Sequence, residues 1–318
     1  MRYPAKLAPA LRLSALSVLL AGSGCLLPPH SLPLPATGQP APAATADELI
    51  AGYNANAARI QTILLTADVG TASLRRVGVF GRLLSGLAWL GGRVRHARGR
   101  SYVTLSGYLI LQKPASLRIF ASLPVVGGRA FDMASNGDNF ELSLPTLGEF
   151  IEGRNDCVPT GEHGRLQRLR PAEILEALPV FPVESAVPFR LTNAPNGDYR
   201  LLLPARSTAQ RAVAMRQMEF DPGDKRLRRQ SFYDADGATT LIVDYDDYVM
   251  ASGIAFPQTI AVTHPGVYAL LLQLTKAPTV NGSAPAWTSP SAFVLTPPRG
   301  AKIVNQSECG AASVPAIP

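Results

Sequence analysis

The sequence predicts a mainly β protein of antiparallel strands with a few helices, and three observations carry that prediction. Short apolar or alternating runs recur from residue 60 to residue 295. Turn residues punctuate them, at Lys113-Pro114, Gly127-Gly128, Asn136-Gly137-Asp138, Asn196-Gly197-Asp198 and Asp221-Pro222-Gly223-Asp224. Helical stripes between the runs are scarce, which argues against repeated βαβ units.

The first segment has the parts of an export leader. Arg2, Lys6 and Arg12 supply positive charge, and Leu13 to Ala21 is an apolar stretch too short to span a bilayer. Gly22, Ser23 and Gly24 then precede Cys25, a pattern similar to the site at which a lipoprotein leader is cut and its cysteine acylated. Gly22 departs from that pattern, which usually has Leu three residues before the cysteine. Residues 1–24 are therefore expected to be a signal peptide and Cys25 the lipidation site. Leu26 follows, with no Asp to suggest inner-membrane retention. The expected location is the outer membrane, lipid-anchored and facing the periplasm.

Residues 25–44 are rich in Pro and Ala and read as an extended tether. Thr45 and Glu48 form a capping box for a helix reaching about Arg59, with Leu49, Ile50 and Tyr53 on its buried side. Strands are then expected at 60–68, 102–112, 116–122, 129–135 and 139–144. A short helix should start at Pro171 and run to Leu178. Further strands are expected at 189–192, 199–204, 213–220, 227–233, 239–248, 258–263, 268–275 and 291–295. One domain over 45–300 is the economical reading, with 301–318 as a loose C-terminal tail.

Charge and composition exclude several classes. The chain carries 17% charged and 47% hydrophobic residues, too apolar for a disordered protein. Its formal charge is +7, of which Arg2, Lys6 and Arg12 account for three, so charge does not point to nucleic acid. GxSxG, HExxH and phosphate-cradling glycine loops are absent, so no catalytic residue, metal or cofactor is expected. Asp244, Asp246 and Asp247 form the densest acidic cluster and read as a solvated or edge-protecting strand face. Cys157 and Cys309 are the other two cysteines; an oxidising compartment would let them form a disulfide, and two thiols that never meet is the equal alternative.

Residues 74–100 stand apart. They hold seven arginines, and no Asp or Glu occurs from Val69 through Phe131. Phe80, Leu83, Leu84, Leu87 and Leu90 fall at helical spacing with Trp89 beside them. This is the pattern of an element lying in a membrane surface. A helix packed over the sheet is an equal reading.

The stretch 107–153 carries more than strand propensity. Lys113-Pro114, Arg118, Pro124, Phe131-Asp132, Asn136-Gly137, Pro145, Phe150 and Gly153 follow one another in a pattern that resembles the LolA/LolB-like lipoprotein-sorting family. Phe256-Pro257, Asn281 and a last strand at 293–297 extend the resemblance to about 45–300. It implies a curved, unclosed antiparallel sheet, a half-barrel, with helices as a lid over a hydrophobic cavity for acyl chains. Leu109, Leu111, Arg118, Phe131 and Phe140 are the residues it suggests for that cavity. Arg118 would orient the sheet or meet a polar lipid group. The lipid anchor favours a receptor-like member, whose partners would be lipoprotein acyl chains or another lipid, the membrane through Cys25 and the 74–100 loop, and a soluble periplasmic carrier. The alternative function is a structural lipoprotein that holds an envelope complex without moving lipid.

Overall fold

The computed structural model describes residues 44–72, 93–97, 99–123, 128–155, 169–184, 190–204 and 215–306. Cys25, the 80–90 stripe, Cys157 and Cys309 lie outside the described residues, as do the leader and tether.

Helix α1 (Ala46–Ala58) starts where the capping box requires. The Glu48 amide donates to Thr45 Oγ1 at 3.2 Å, and the Thr45 amide donates back to the Glu48 carboxylate at 3.1 Å. The chain then enters β1 (Thr62–Ala72), and a hairpin of β2 (Arg93–Ala97) and β3 (Arg100–Gln112) follows, turning at Gly99 with φ +71°. A meander continues through β4 (Ser116–Ser122), β5 (Arg129–Ser135), β6 (Asn139–Leu144) and β7 (Glu149–Arg154). Helix α2 (Pro171–Ala177) separates it from a second meander. That one comprises β8 (Arg190–Asn193), β9 (Tyr199–Pro204), β10 (Met215–Phe220), β11 (Leu227–Tyr233), β12 (Thr239–Ala251), β13 (Ile254–His264) and β14 (Tyr268–Leu274).

The two meanders form one sheet because β1 pairs with β3 on one side and β14 on the other. With β16 (Lys302–Gln306) as its last strand, the path runs β16-β7-β6-β5-β4-β3-β1-β14-β13-β12-β11-β10-β9-β8, with the short β15 (Thr279–Val280) on β1 and β2 on β3. Its two ends do not meet, so the sheet is unclosed. Fourteen strands laid flat would span roughly 60 Å, whereas a 13-residue helix is about 20 Å long. Yet Tyr199 on β9 hydrogen-bonds the Ala44 amide just before α1, and Lys113 after β3 reaches the Ala57 carbonyl at its other end. One short helix can touch both regions only if the sheet curves around it.

Four regions differ from the sequence expectation. Arg93–Ala97, the end of the arginine-rich run, is a strand, because it folds back on β3 as an antiparallel hairpin that satisfies its backbone groups. The stretch 291–295 is no strand: Pro290–Phe293 is a 3₁₀ turn following a short helix, α3 (Pro285–Thr288). Ala292 and Phe293 bury themselves on Ile110, so packing across the sheet overrides the local apolar run. The expected loose tail begins with a strand, β16 (Lys302–Gln306), which adds parallel to β7. Finally, β7 itself carries a regular ladder to β6 although Glu149–Arg154 shows weak strand propensity. Its Gly153 sits under the Phe140 ring, and a Cβ there would meet the ring at 2.5 Å.

Both faces of the sheet are covered. On the outer face, Tyr102 packs with Ala261, Ala269 and Leu271, and Ile110 packs with Ala292 and Phe293. The inner face is larger and gathers residues from both meanders into one cluster with α1 and α2.

Candidate functional site

The inner face is built by alternation. Ile63 and Leu65 of β1, Leu109 and Leu111 of β3, Leu117 and Ile119 of β4, and Leu270 and Leu272 of β14 all point inward and are at most 3% exposed. Leu201 on β9, Met218 on β10 and Val243 on β12 continue it through the second meander. Two helices lie over this surface. α1 contributes Leu49, Ile50, Tyr53 and Ala57; α2 contributes Ile174 and Ala177, followed by Leu178, Val180 and Val183.

Of the residues suggested for a cavity, Leu109, Leu111 and Phe140 are fully buried in this cluster, and Phe131 packs at its margin half-buried. Arg118 is on the opposite face. Its guanidinium grips Asp132 at 3.0 and 2.8 Å and donates to the Ala292 carbonyl at 3.0 Å. Asp132 also receives Arg129 at 2.8 Å. Arg118 thus pins the chain that crosses the outer face, and its strand position forbids contact with the inner surface.

The helices are held by polar links as well as by packing. Tyr245, fully buried on β12, donates to the Ala177 carbonyl at 2.8 Å and accepts from Gln230. Gln230 in turn accepts from Arg216, whose Nη2 also lies 3.5 Å from the Tyr53 hydroxyl on α1. On α2, Glu173 receives the Tyr268 hydroxyl and lies 3.3 Å from His264 Nδ1. Asn54 makes two hydrogen bonds with the Val183 backbone, at 2.6 and 2.7 Å, so α1 and the chain after α2 are joined to each other.

Burial tunes several of these groups. It pushes the Tyr245 phenol well above its ordinary range, keeping it a neutral donor. It lowers Lys113, whose ammonium caps the C-terminal end of α1. Arg170 is pulled down to about 10 by burial, against the opposing pull of Glu173 and Tyr268, and lies 5.0 Å over the Phe140 ring.

The sequence missed these links. His264 reads as a turn residue before Pro265, and Tyr245 hides inside an acidic run. That run is not an edge face, and of its three carboxylates only Asp247 is exposed as expected. β12 lies between β11 and β13, Asp244 is buried against Arg229 at 2.6 Å, and Asp247 bonds Thr259 at 3.2 Å. Pairing with a neighbouring strand, invisible in a single run of residues, decides their role.

A half-open cleft of about 250 Å³ lies at the edge of α1, lined by Leu49, Tyr53, Phe220, Leu227 and Tyr248. It is smaller than the roughly 300–1,000 Å³ of most ligand pockets, so this cleft by itself would not take a long-chain ligand. Among the described residues no group of three or more His, Cys, Asp or Glu could hold a metal, and no helix is long and apolar enough to cross a membrane.

No family model matches the sequence, and no curated protein matches it. Solved structures do resemble the chain. A LolA superfamily protein from Nitrosomonas europaea is 9% identical with a TM-score of 0.46, over 78% of this chain and 99% of its own. A putative outer membrane lipoprotein-sorting protein domain from Vibrio parahaemolyticus is 11% identical with a TM-score of 0.48, over 79% and 100%. A DUF1329 family protein from Desulfovibrio piger is 12% identical with a TM-score of 0.47, over 77% and 98%.

Proposed function

We propose that this protein is a lipid-handling envelope lipoprotein that shelters acyl chains against the inner face of its sheet. In this reading Cys25 carries the anchor at the outer membrane and residues 25–44 are the tether. The joined cover of α1 and α2 swings aside to admit a chain. Residues 74–100 would touch the membrane, and a soluble periplasmic carrier would deliver the cargo.

One observation carries the proposal: a continuous apolar surface from β9 to β6 is covered by two short helices held through a handful of polar links. Burying an acyl chain in place of the cover recovers about 0.8 kcal/mol per CH₂, so a movable cover and a long chain are comparable competitors. Strong fixed contacts would prevent release.

The test is native mass spectrometry of the full chain carrying Cys25→Ser, after incubation with palmitate or with a triacylated lipopeptide. A one-to-one adduct is expected. Its absence for both ligands would end the carrier reading and favour a scaffold that holds an envelope complex.

A further inference from the structure

Resting on the lipid-carrying reading, we infer that the ligand is an anionic amphiphile and that Arg216 receives its head group. The two faces of the sheet treat arginine differently. On the outer face Arg95 meets Asp68 at 2.9 Å, Arg118 meets Asp132 at 2.8 Å, Arg200 meets Glu219 at 3.0 Å and Arg229 meets Asp244 at 2.6 Å. Each of these cations is neutralised by a carboxylate, on the adjacent strand for Arg118, Arg200 and Arg229 and across β3 on β1 for Arg95.

Arg216 alternates with Met218 and Phe220, so it faces inward. Its neighbours there are all neutral. Nε donates to Gln230 Oε1 at 2.7 Å, Nη2 donates to the same oxygen and lies 3.5 Å from the Tyr53 hydroxyl, and the guanidinium stands 5.4 Å over the Phe232 ring. Among the described residues no carboxylate meets it and Nη1 makes no hydrogen bond. It is half-buried, so a ligand can reach it.

A cation set in an apolar surface without a counter-charge is costly unless something supplies the charge. The guanidinium fork accepts two oxygens of a carboxylate or phosphate side by side. Gln230 and Phe232 hold the fork in place, and Tyr53 belongs to the helix that an entering chain must displace. The geometry therefore places a negative head at Arg216 with its chain running along the Leu201 and Met218 surface.

Displacement of a fluorescent fatty-acid probe from the full chain carrying Cys25→Ser tests this. Palmitate should bind about tenfold or more tightly than hexadecanol, which has the same chain without the charge. Arg216→Gln should bring palmitate to the hexadecanol value, whereas Arg216→Lys should keep most of the preference. Hexadecanol should still bind all three proteins, which reports that the chain site is intact, and the ratio of palmitate to hexadecanol affinity within each protein is the readout, because a looser cover shifts both ligands alike. Equal binding of the two ligands by the unsubstituted protein would overturn the inference even if the variants failed to fold. Displacement of the probe by inorganic phosphate alone would overturn the amphiphile assignment. Loss of both ligands from every protein would instead sink the carrier reading beneath it.

Discussion

The two faces of one sheet solve the problem of buried polarity in opposite ways. The outer face pairs charge with charge inside the sheet itself, as Arg118 and Arg129 do with Asp132 or Arg229 does with Asp244. The Arg118–Asp132 and Arg229–Asp244 links join neighbouring strands, and Arg118 also holds the chain above them through the Ala292 carbonyl. The inner face links strands to helices through neutral or singly charged hydrogen bonds, as Tyr245 does with the Ala177 carbonyl. The difference separates fixing the register of a sheet from fastening a cover to it.

That separation can be broken experimentally. The largest effect should come from Asp132→Ala, which leaves Arg118, only 16% exposed, and Arg129 facing each other without a carboxylate. A loss of about 3–5 kcal/mol in denaturant unfolding is expected. A loss below 1 kcal/mol would mean the outer pairs are ornamental. Tyr245→Phe should cost about 1–2 kcal/mol. That loss should be local, with amides of α2 exchanging faster while those of β3 and β4 stay protected. Uniform loss of protection would show that cover and sheet unfold together.

The smallest effect concerns acid. Burial works against the Asp221 carboxylate, but the backbone N–H groups of Asp224 and Gly223, with Arg228, outweigh it and hold its pKa below 3.8. A depressed carboxylate stabilises the fold above its unfolded pKa and loses that contribution as pH falls through the folded value. Asp221→Asn should therefore differ from the native chain by a constant amount at neutral pH, and the difference should shrink below pH 3.8. A difference unchanged down to the acid transition would rule out this linkage.

The sheet was largely legible because alternation and turn chemistry are local. Ser116–Ser122, Arg129–Ser135 and Asn139–Leu144 fall where their patterns put them, and the Thr45 capping box begins α1. What escaped was non-local. β16 forms because β7 offers an edge, and Pro290–Phe293 turns because Ile110 lies beneath it. The candidate surface was half legible. Leu109, Leu111 and Phe140 share the inner face, while Arg118 was grouped with them although strand parity puts it opposite to Leu117 and Ile119. Arg216 and Tyr245 drew no notice, because nothing in a run of residues tells that a counter-charge is missing or that a phenol meets a helix end.

The seam at β1 has a consequence for how the protein comes into being. β1 is made early, yet one of its two flanking partners, β14, ends at Leu274. Until β14 has emerged, the two halves cannot be stitched together and their greasy surfaces stay open to solvent. Assembly should be slow for a molecule of this size. A chaperone that shields the chain until that pairing is made would then matter as much to the yield of folded molecules as any single contact within them.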